Sequence, residues 1–504
     1  MKKNILTSLV ISVLLIVNQG FSQKKLTFLH TNDIHGNYTV RSTKSAEDGD
    51  TLRYGGFIAL KHYVDEIKRE TNDNYLLFDA GDFMTGNPIC DISHQGAKGG
   101  ALVSFFNYLE YDGLTLGNHE FDISVDNAQA LMKLCDFPVF SANLFEKKGQ
   151  LFTEKAYHIY TKNDLKIGVI GIMVHDLGGY LNKSQRQKIY TIPAVNVINK
   201  LAEMIDEETD LIVLLSHSGF DLDKDIAEKL SDKVDIIIGG HSHTRLNTPV
   251  VVNDIIIVQA GSKCSNLGRL DVTVKDDRVS QYNGKLIFLD NSEITEDVYL
   301  KKQIKKYENL IDLEYGKIIG HLKSDWMRNR RGESNLGNFI CDCIRDFAKT
   351  DVAVMNSGGI RKGLVAGPVK GIDVKEILPF LNQICVTELP GTKIKQIVAT
   401  NIKAVQGGHF GILQTSGLEY VYRLQSNQKF EILDMSINGA PVEDEKNYTL
   451  ATVDYVLSNA DQYFGFDTPK YKNLYTPIAD VVMNRIRELN VVESKIEGRI
   501  IEKK

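Results

Sequence analysis

A chain of 504 residues is too long for one hydrophobic core and calls for two or three domains. Its hydrophobic content of 43% and charged content of 25% are those of an ordinary globular protein. The net charge of −6 argues against a nucleic-acid partner, which shows as a basic patch and a high pI.

The first residues read as a targeting signal. Lys2 and Lys3 make a positive start, Ile5 to Val17 is mostly apolar, and Gly20-Phe21-Ser22 places small residues at −3 and −1. Cleavage is expected after Ser22. The apolar run is short for a membrane span, and no Cys follows it closely to carry a lipid. Nothing beyond residue 480 is apolar enough for a second span or a removable lipid-anchor tail. The expectation is an exported mature chain, periplasmic or secreted, with no stable membrane anchor. Export permits disulfides. Cys90, Cys135, Cys264, Cys341, Cys343 and Cys385 nevertheless read as small buried residues without catalytic or metal roles.

Apolar strands then alternate with helical stretches such as Ile58 to Lys68 and Ala194 to Glu207. Leu26-Thr27-Phe28-Leu29 is followed by Thr31-Asn32-Asp33-Ile34-His35-Gly36. Tyr75-Leu76-Leu77-Phe78 runs into Asp79-Ala80-Gly81-Asp82. Leu114-Thr115-Leu116 ends in Gly117-Asn118-His119-Glu120-Phe121-Asp122. Leu211 to Leu215 ends in Ser216-His217-Ser218-Gly219, and Val234 to Ile238 in Gly239-Gly240-His241-Ser242-His243. Strands this apolar are buried on both faces by helices. Ligands of such α/β sheets bind beyond the carboxyl ends of the strands, where these clusters sit. Asp, His and an Asn carbonyl together make a mixed N/O ligand set, suited to Zn, Mn, Co or Fe. His119 and Asp122, three apart, can pair so that the carboxylate orients the imidazole. The connections Asp91 to Lys98 and Leu177 to Gln187 are polar, with no readable function.

Asp290-Asn291-Ser292-Glu293 closes this region. Ile294 to Leu313 reads as a bridging helix, with Val298, Ile304, Tyr307, Leu310 and Ile311 as apolar positions. Beyond it, Glu333-Ser334-Asn335-Leu336-Gly337-Asn338 opens an apolar helix. The glycines of Asn356-Ser357-Gly358-Gly359-Ile360-Arg361 permit close approach of a ligand, and Arg361 can clamp phosphate or carboxylate. Phe380 and Tyr455 are candidate plates for a flat base, with core packing as the alternative.

The strand-end clusters, in this order, resemble the motifs of the calcineurin-like metallophosphoesterases, and in detail their 5′-nucleotidase branch. That branch includes the bacterial periplasmic 5′-nucleotidase/UDP-sugar hydrolase and the animal ecto-5′-nucleotidase. The resemblance implies an α/β protein in which residues 23–292 form an α+β four-layer sandwich phosphoesterase domain. Residues 293–315 would be a linker helix, and residues 316–504 a second α/β domain that binds substrate. It implies two divalent metals: one on Asp33, His35, Asp82 and His243, the other on Asp82, Asn118, His217 and His241, with Asp82 bridging. His119 and Asp122 would be the catalytic dyad, and a metal-held hydroxide would attack phosphorus in line. Phe380 and Tyr455 would sandwich the base, Asn356 contact it, Asp461 bind the ribose hydroxyls, and Arg361 and Arg331 the phosphate.

The chain departs from relatives in places. Arg328, Arg330 and Arg331 compete for the second phosphate position. Asn459-Ala460-Asp461-Gln462 stands where Gly-Gly-Asp-Gly is frequent, Leu381 replaces a small residue, and some relatives carry Gln or Asn at the position of His243. The implied activity is removal of the 5′-phosphate from nucleotides. The alternatives are a 2′,3′-cyclic nucleotide phosphodiesterase/3′-nucleotidase, a UDP-sugar hydrolase, or a silent surface protein that captures nucleotide or metal.

Overall fold

The computed structural model describes residues 23–44, 51–181, 183–407, 411–425 and 429–503. The expected signal segment, residues 1–22, lies outside them. Two six-stranded sheets stack face to face in the first half of the chain. One has the order Arg278–Phe288, Asn266–Lys275, Lys24–Thr31, Tyr75–Asp79, Gly113–Thr115, Val139–Phe140. The other runs Tyr157–Lys162, Leu165–Met173, Leu211–His217, Ile236–Gly239, Ile255–Val258, Val250–Val252. The central strands are parallel, with Phe28 opposite Leu76 in the first sheet and Val213 opposite Ile236 in the second.

Both faces of these strands are apolar because both are covered. Phe28, Leu76 and Phe78 meet Val169, Val213 and Ile238 between the sheets. Leu29 and Leu77 turn outward onto the helices Phe57–Glu70 and Gly100–Tyr108. Ile170, Ile212 and Leu214 turn the other way onto Ala194–Ile205. The result is helix, sheet, sheet, helix. Parallel strands expose their carboxyl ends at one edge, so this stacking brings the polar clusters of both sheets together.

The bridging helix spans Val298–Tyr315, not Ile294 onward. Asp297 caps it by accepting the Leu300 N–H at 2.7 Å, so the four preceding residues stay outside. It buries Leu300, Ile304, Tyr307 and Ile311 against the first domain. Val298, read as an apolar anchor, is 83% exposed, and Leu310 is 43% exposed.

The second half is built on a five-stranded sheet ordered Leu413–Ser416, Val352–Asn356, Asn447–Val453, Gln383–Pro390, Tyr471–Pro477. Helix Asn335–Ala348 packs on it, capped by the Ser334 hydroxyl, which accepts the Gly337 N–H at 3.0 Å. Leu336, Ile340, Val354, Ile384, Leu450 and Val453 form its core. The cysteines are free thiols, and all but Cys135 are fully buried. Among the described residues no helix is long and apolar enough to cross a membrane.

Candidate active site

The loops at the strand ends are bent into an unusual backbone. Asp33, His35, Asp82, His241 and His243 all have positive φ, between 50° and 71°. Non-glycine residues adopt that region at a cost that the surroundings must hold. Backbone bonds supply the hold: Asp33 N–H to Gly81 O at 2.9 Å and His35 N–H to Asp82 O at 3.0 Å. Gly81, at φ +86°, lets the loops close. A Cβ there would stand 2.6 Å from Gly117 N and 2.9 Å from His217 Nδ1.

The side chains converge. Asp33 Oδ1 lies 3.2 Å from His243 Nε2 and 3.9 Å from His35 Nε2. Asp82 Oδ2 lies 3.1 Å from His217 Nε2. Asp33, His35 and His243 form one group whose ligand atoms could share an ion, and Asp82, His217 and His241 form another. Backbone carbonyls take the outer ring nitrogens: His35 Nδ1 faces Met84 O at 3.0 Å and His217 Nδ1 faces Ala80 O at 2.6 Å. Both rings therefore turn Nε2 into the cluster. Asp33 Oδ1, Asn118 Oδ1 and His217 Nε2 are buried and, among the described residues, have no hydrogen-bond partner outside the cluster itself. An unsatisfied buried polar atom costs about 1–3 kcal/mol. Several such atoms aimed at one place fit a divalent cation, which is bound by lone pairs and needs no donor.

Protonation follows from the same crowding. Burial, with help from His119, drives His35 down to about 3, and burial with His217 drives His241 to about 4. Both shifts favour the neutral imidazole, the form that can ligate a metal. Burial opposes the charged form of His217, but Asp82 beside it wins and carries it up to about 10.

His119 Nδ1 stands 2.6 Å from Asp122 Oδ2. Thr85 donates its hydroxyl to the same carboxylate oxygen at 2.6 Å. Burial disfavours the His119 cation, but Asp122 and Asp82 outweigh it and raise its pKa. Glu120, to which the sequence assigned no role, is fully buried and accepts backbone N–H groups of Gly117 at 2.6 Å, Asp82 at 3.0 Å and Met84 at 3.1 Å. It ties two of the strand-end loops together. Its only sequence signal is the spacing of three from Gly117; Thr85 carries none.

The second domain closes over this cluster. Phe380 lies 5.8 Å ring to ring from His119, and the Arg361 guanidinium sits 5.7 Å from the Phe380 centroid. Burial lowers the pKa of Arg361, while Asp122 and Asp82 lie close enough to counter it. Arg328 donates to Arg361 O, and Arg330 lies near both. Arg331 does not join them. Among the described residues its guanidinium makes no hydrogen bond or ion pair, and only its backbone N–H is engaged, by Asn329 Oδ1 at 3.0 Å. The Arg331 side chain is exposed. Asn356 is buried, its Oδ1 has no hydrogen-bond partner among the described residues, and its Nδ2 faces the Tyr463 hydroxyl at 3.4 Å. Tyr455 and Tyr463 meet edge to face at 6.1 Å. Asp461, on the short helix Ala460–Tyr463, is exposed and makes no hydrogen bond or ion pair among the described residues.

The two connections with no function readable in the sequence both reach the second domain. Asp91 pairs with Lys375 at 3.0 Å. Gly179 O accepts the Tyr455 hydroxyl at 3.3 Å, and Arg186 donates to Ser458 O and Asn459 Oδ1. Tyr180 lies against His241.

Comparison with known proteins finds matches for both halves of the chain. The calcineurin-like phosphoesterase profile matches residues 26–245, and the 5′-nucleotidase C-terminal domain profile matches residues 318–468. The chain belongs to the 5′-nucleotidase family of metallophosphoesterases. As a member it is a metal-dependent phosphohydrolase. It is 28% identical to the 5′-nucleotidase of Bos taurus, over 94% of this chain and 90% of that protein. It is 29% identical to the trifunctional nucleotide phosphoesterase YfkN of Bacillus subtilis over 95% of this chain, but spans only 35% of that longer protein. The crystal structure of a 5′-nucleotidase precursor from Thermus thermophilus superposes with a TM-score of 0.82 at 25% identity, covering 95% of this chain and 99% of the other.

Proposed function

We propose that this family member removes the 5′-phosphate from nucleotides that bridge its two domains. The observation that carries the reading is the meeting of Phe380 and Arg361 with His119 at the ligand cluster. Phosphate chemistry and base recognition then share one cleft. Asp33, His35, Asp82 and His243 would hold one divalent metal, and Asp82, Asn118, His217 and His241 the other. Asp82 is the residue suited to bridge, since a carboxylate has two charged oxygens to share. The N/O donor set suits Zn, Mn, Co or Fe. Bound metals supply Lewis acidity toward the phosphoryl oxygens and toward an attacking water.

The chain's own groups do the rest. Asp122, held by Thr85, accepts the His119 Nδ1 hydrogen bond and stays ionised, which keeps that proton on Nδ1 and stabilises the imidazolium when Nε2 is protonated too, so that Nε2 faces the reacting group. His119 stabilises the phosphoryl charge or protonates the leaving oxygen. Arg361, with Arg328 and Arg330 in place of Arg331, neutralises phosphate from the second domain. Phe380 and Tyr455 stack the base, Asn356 contacts it, and Asp461 turns to the ribose. Export through the segment 1–22 is part of the same proposal, tested by the N-terminal sequence of the mature protein.

A panel of AMP, UMP, ATP, UDP-glucose and 2′,3′-cyclic AMP tests the reading. We expect phosphate release from AMP and UMP, abolished by a chelator and restored by Mn or Co. Release only from the cyclic or sugar substrates would overturn it.

A further inference from the structure

Tyr180 follows the short turn Leu177–Gly179, outside the dyad and the ligand set. Its hydroxyl stands 3.1 Å from His241 Nε2, and the two rings meet edge-on with centroids 5.4 Å apart at 87°. With Nε2 engaged there, Nδ1 is the His241 nitrogen left to face Asp82 and His217. In that tautomer Nε2–H donates to the Tyr180 oxygen. Histidine ligands usually have their outer N–H held this way, which fixes tautomer and ring orientation.

His241 differs from His35 and His217 in what holds it. His35 and His217 face backbone carbonyls of their own domain, Met84 O and Ala80 O. The partner of His241 is a side chain whose neighbours are held by the second domain. Gly179 O accepts the Tyr455 hydroxyl, and Arg186 at the end of the helix Lys183–Arg186 donates to Ser458 O and Asn459 Oδ1. Tyr455 is also the proposed base plate. A path of direct contacts therefore joins the base site to the metal site: Tyr455, Gly179, Tyr180, His241.

We propose that Tyr180 is a positioning residue for His241, and that Gly179 and Arg186 make its aim depend on the seating of the second domain. This rests on the reading of His241 as a ligand. The test uses the full chain loaded with Co(II). Tyr180→Phe keeps the ring and removes the oxygen. It should weaken Co(II) retention against a competing chelator by about 10–100-fold. It should also shift the visible Co(II) spectrum, without changing thermal unfolding of the metal-free protein. Arg186→Ala, which touches neither metal nor dyad, should move retention the same way by less, and add little in the double variant. Wild-type Co(II) affinity and spectrum in Tyr180→Phe would overturn the positioning role. Wild-type affinity in Arg186→Ala would overturn the link to the second domain. His241→Ala separates the two readings: it should lose Co(II), and full retention there would bring down the ligand assignment itself.

Discussion

On the phosphoesterase side of the cleft, Asp33, His35, Asp82, Asn118 and His217 are all buried, and their loops are bonded to one another through backbone groups. On the opposite side, Arg328, Arg330, Arg331 and Asp461 are exposed, and Phe380, Tyr455 and Arg361 are half-buried. The first face is set when the two sheets stack; its side chains have nowhere else to go. The second is made of long side chains with room to re-aim. The difference predicts how each face fails. Changes on the buried face should alter metal binding and rate, and changes on the exposed face should alter apparent affinity with the chemistry left intact.

The largest expected effect is at Asp82. Asp82→Asn keeps the volume and the backbone contacts but removes the charge that the proposed function has both metals share. Metal content should fall at both positions. Phosphate release should drop by ~10³-fold or more, since metals supply several kcal/mol and each 1.36 kcal/mol is tenfold. Full activity in a protein verified to be metal-free would break the comparison at its root.

His119 sits on the same face but has a different task. His119→Ala should lower kcat by ~10²–10⁴, the range for a positioned acid–base group, with bound metal near stoichiometric. His119 Nε2 lies 3.9 Å from Asp82 Oδ2, near enough to the ligand atoms for the alternative to be real. Parallel loss of metal and activity would make His119 a ligand.

The same contrast explains what could be read from the chain. Apolar runs ending in Gly with Asp, His or Asn mark strand ends, so the candidate ligand positions on both sheets could be located along the chain. That two sheets stack to bring them together came with the family resemblance and not from the runs, which look alike in one sheet or two. Glu120 and Thr85 escaped because they act on distant groups: the Asp82 and Met84 N–H groups and the Asp122 carboxylate. Tyr180 escaped because its partner is 61 residues away, in another loop. The helix start was misplaced because apolar spacing outweighed the cap at Asp297. Which of Arg328, Arg330 and Arg331 approaches Arg361 was left open, because position along a loop does not tell which way a guanidinium points; Arg328 is the one that meets it.

Across the cleft, Phe380→Ala with Tyr455→Ala should raise KM for AMP by ~10²-fold, since stacking is worth ~1–3 kcal/mol per base. Bis(p-nitrophenyl) phosphate, which has no base, should be cleaved almost as by wild type. Unchanged AMP kinetics would mean that the base does not stack there, and the enzyme would read as a less selective phosphoesterase.

The smallest effects should sort the three arginines. Arg328 donates to Arg361 O, and Arg330 lies beside Arg361 and Tyr463, so both sit where a phosphate between the domains would meet them. A hydrogen bond to a charged group is worth about 1.5–3 kcal/mol where it is desolvated. Exposure on this face lowers that return, so Arg328→Ala or Arg330→Ala should raise KM for AMP by roughly tenfold, about 1.4 kcal/mol. Arg331→Ala should change KM less than about twofold, in keeping with the small contributions of exposed charges. Added salt should shrink the Arg328 and Arg330 effects, since exposed charges are screened. It should leave the His119→Ala defect in kcat standing, because that group is sheltered. If Arg331→Ala proves the most damaging of the three, this face rearranges around the nucleotide by more than a side-chain rotation, and the exposed half of the cleft is more adaptable than its contacts with Arg361 indicate.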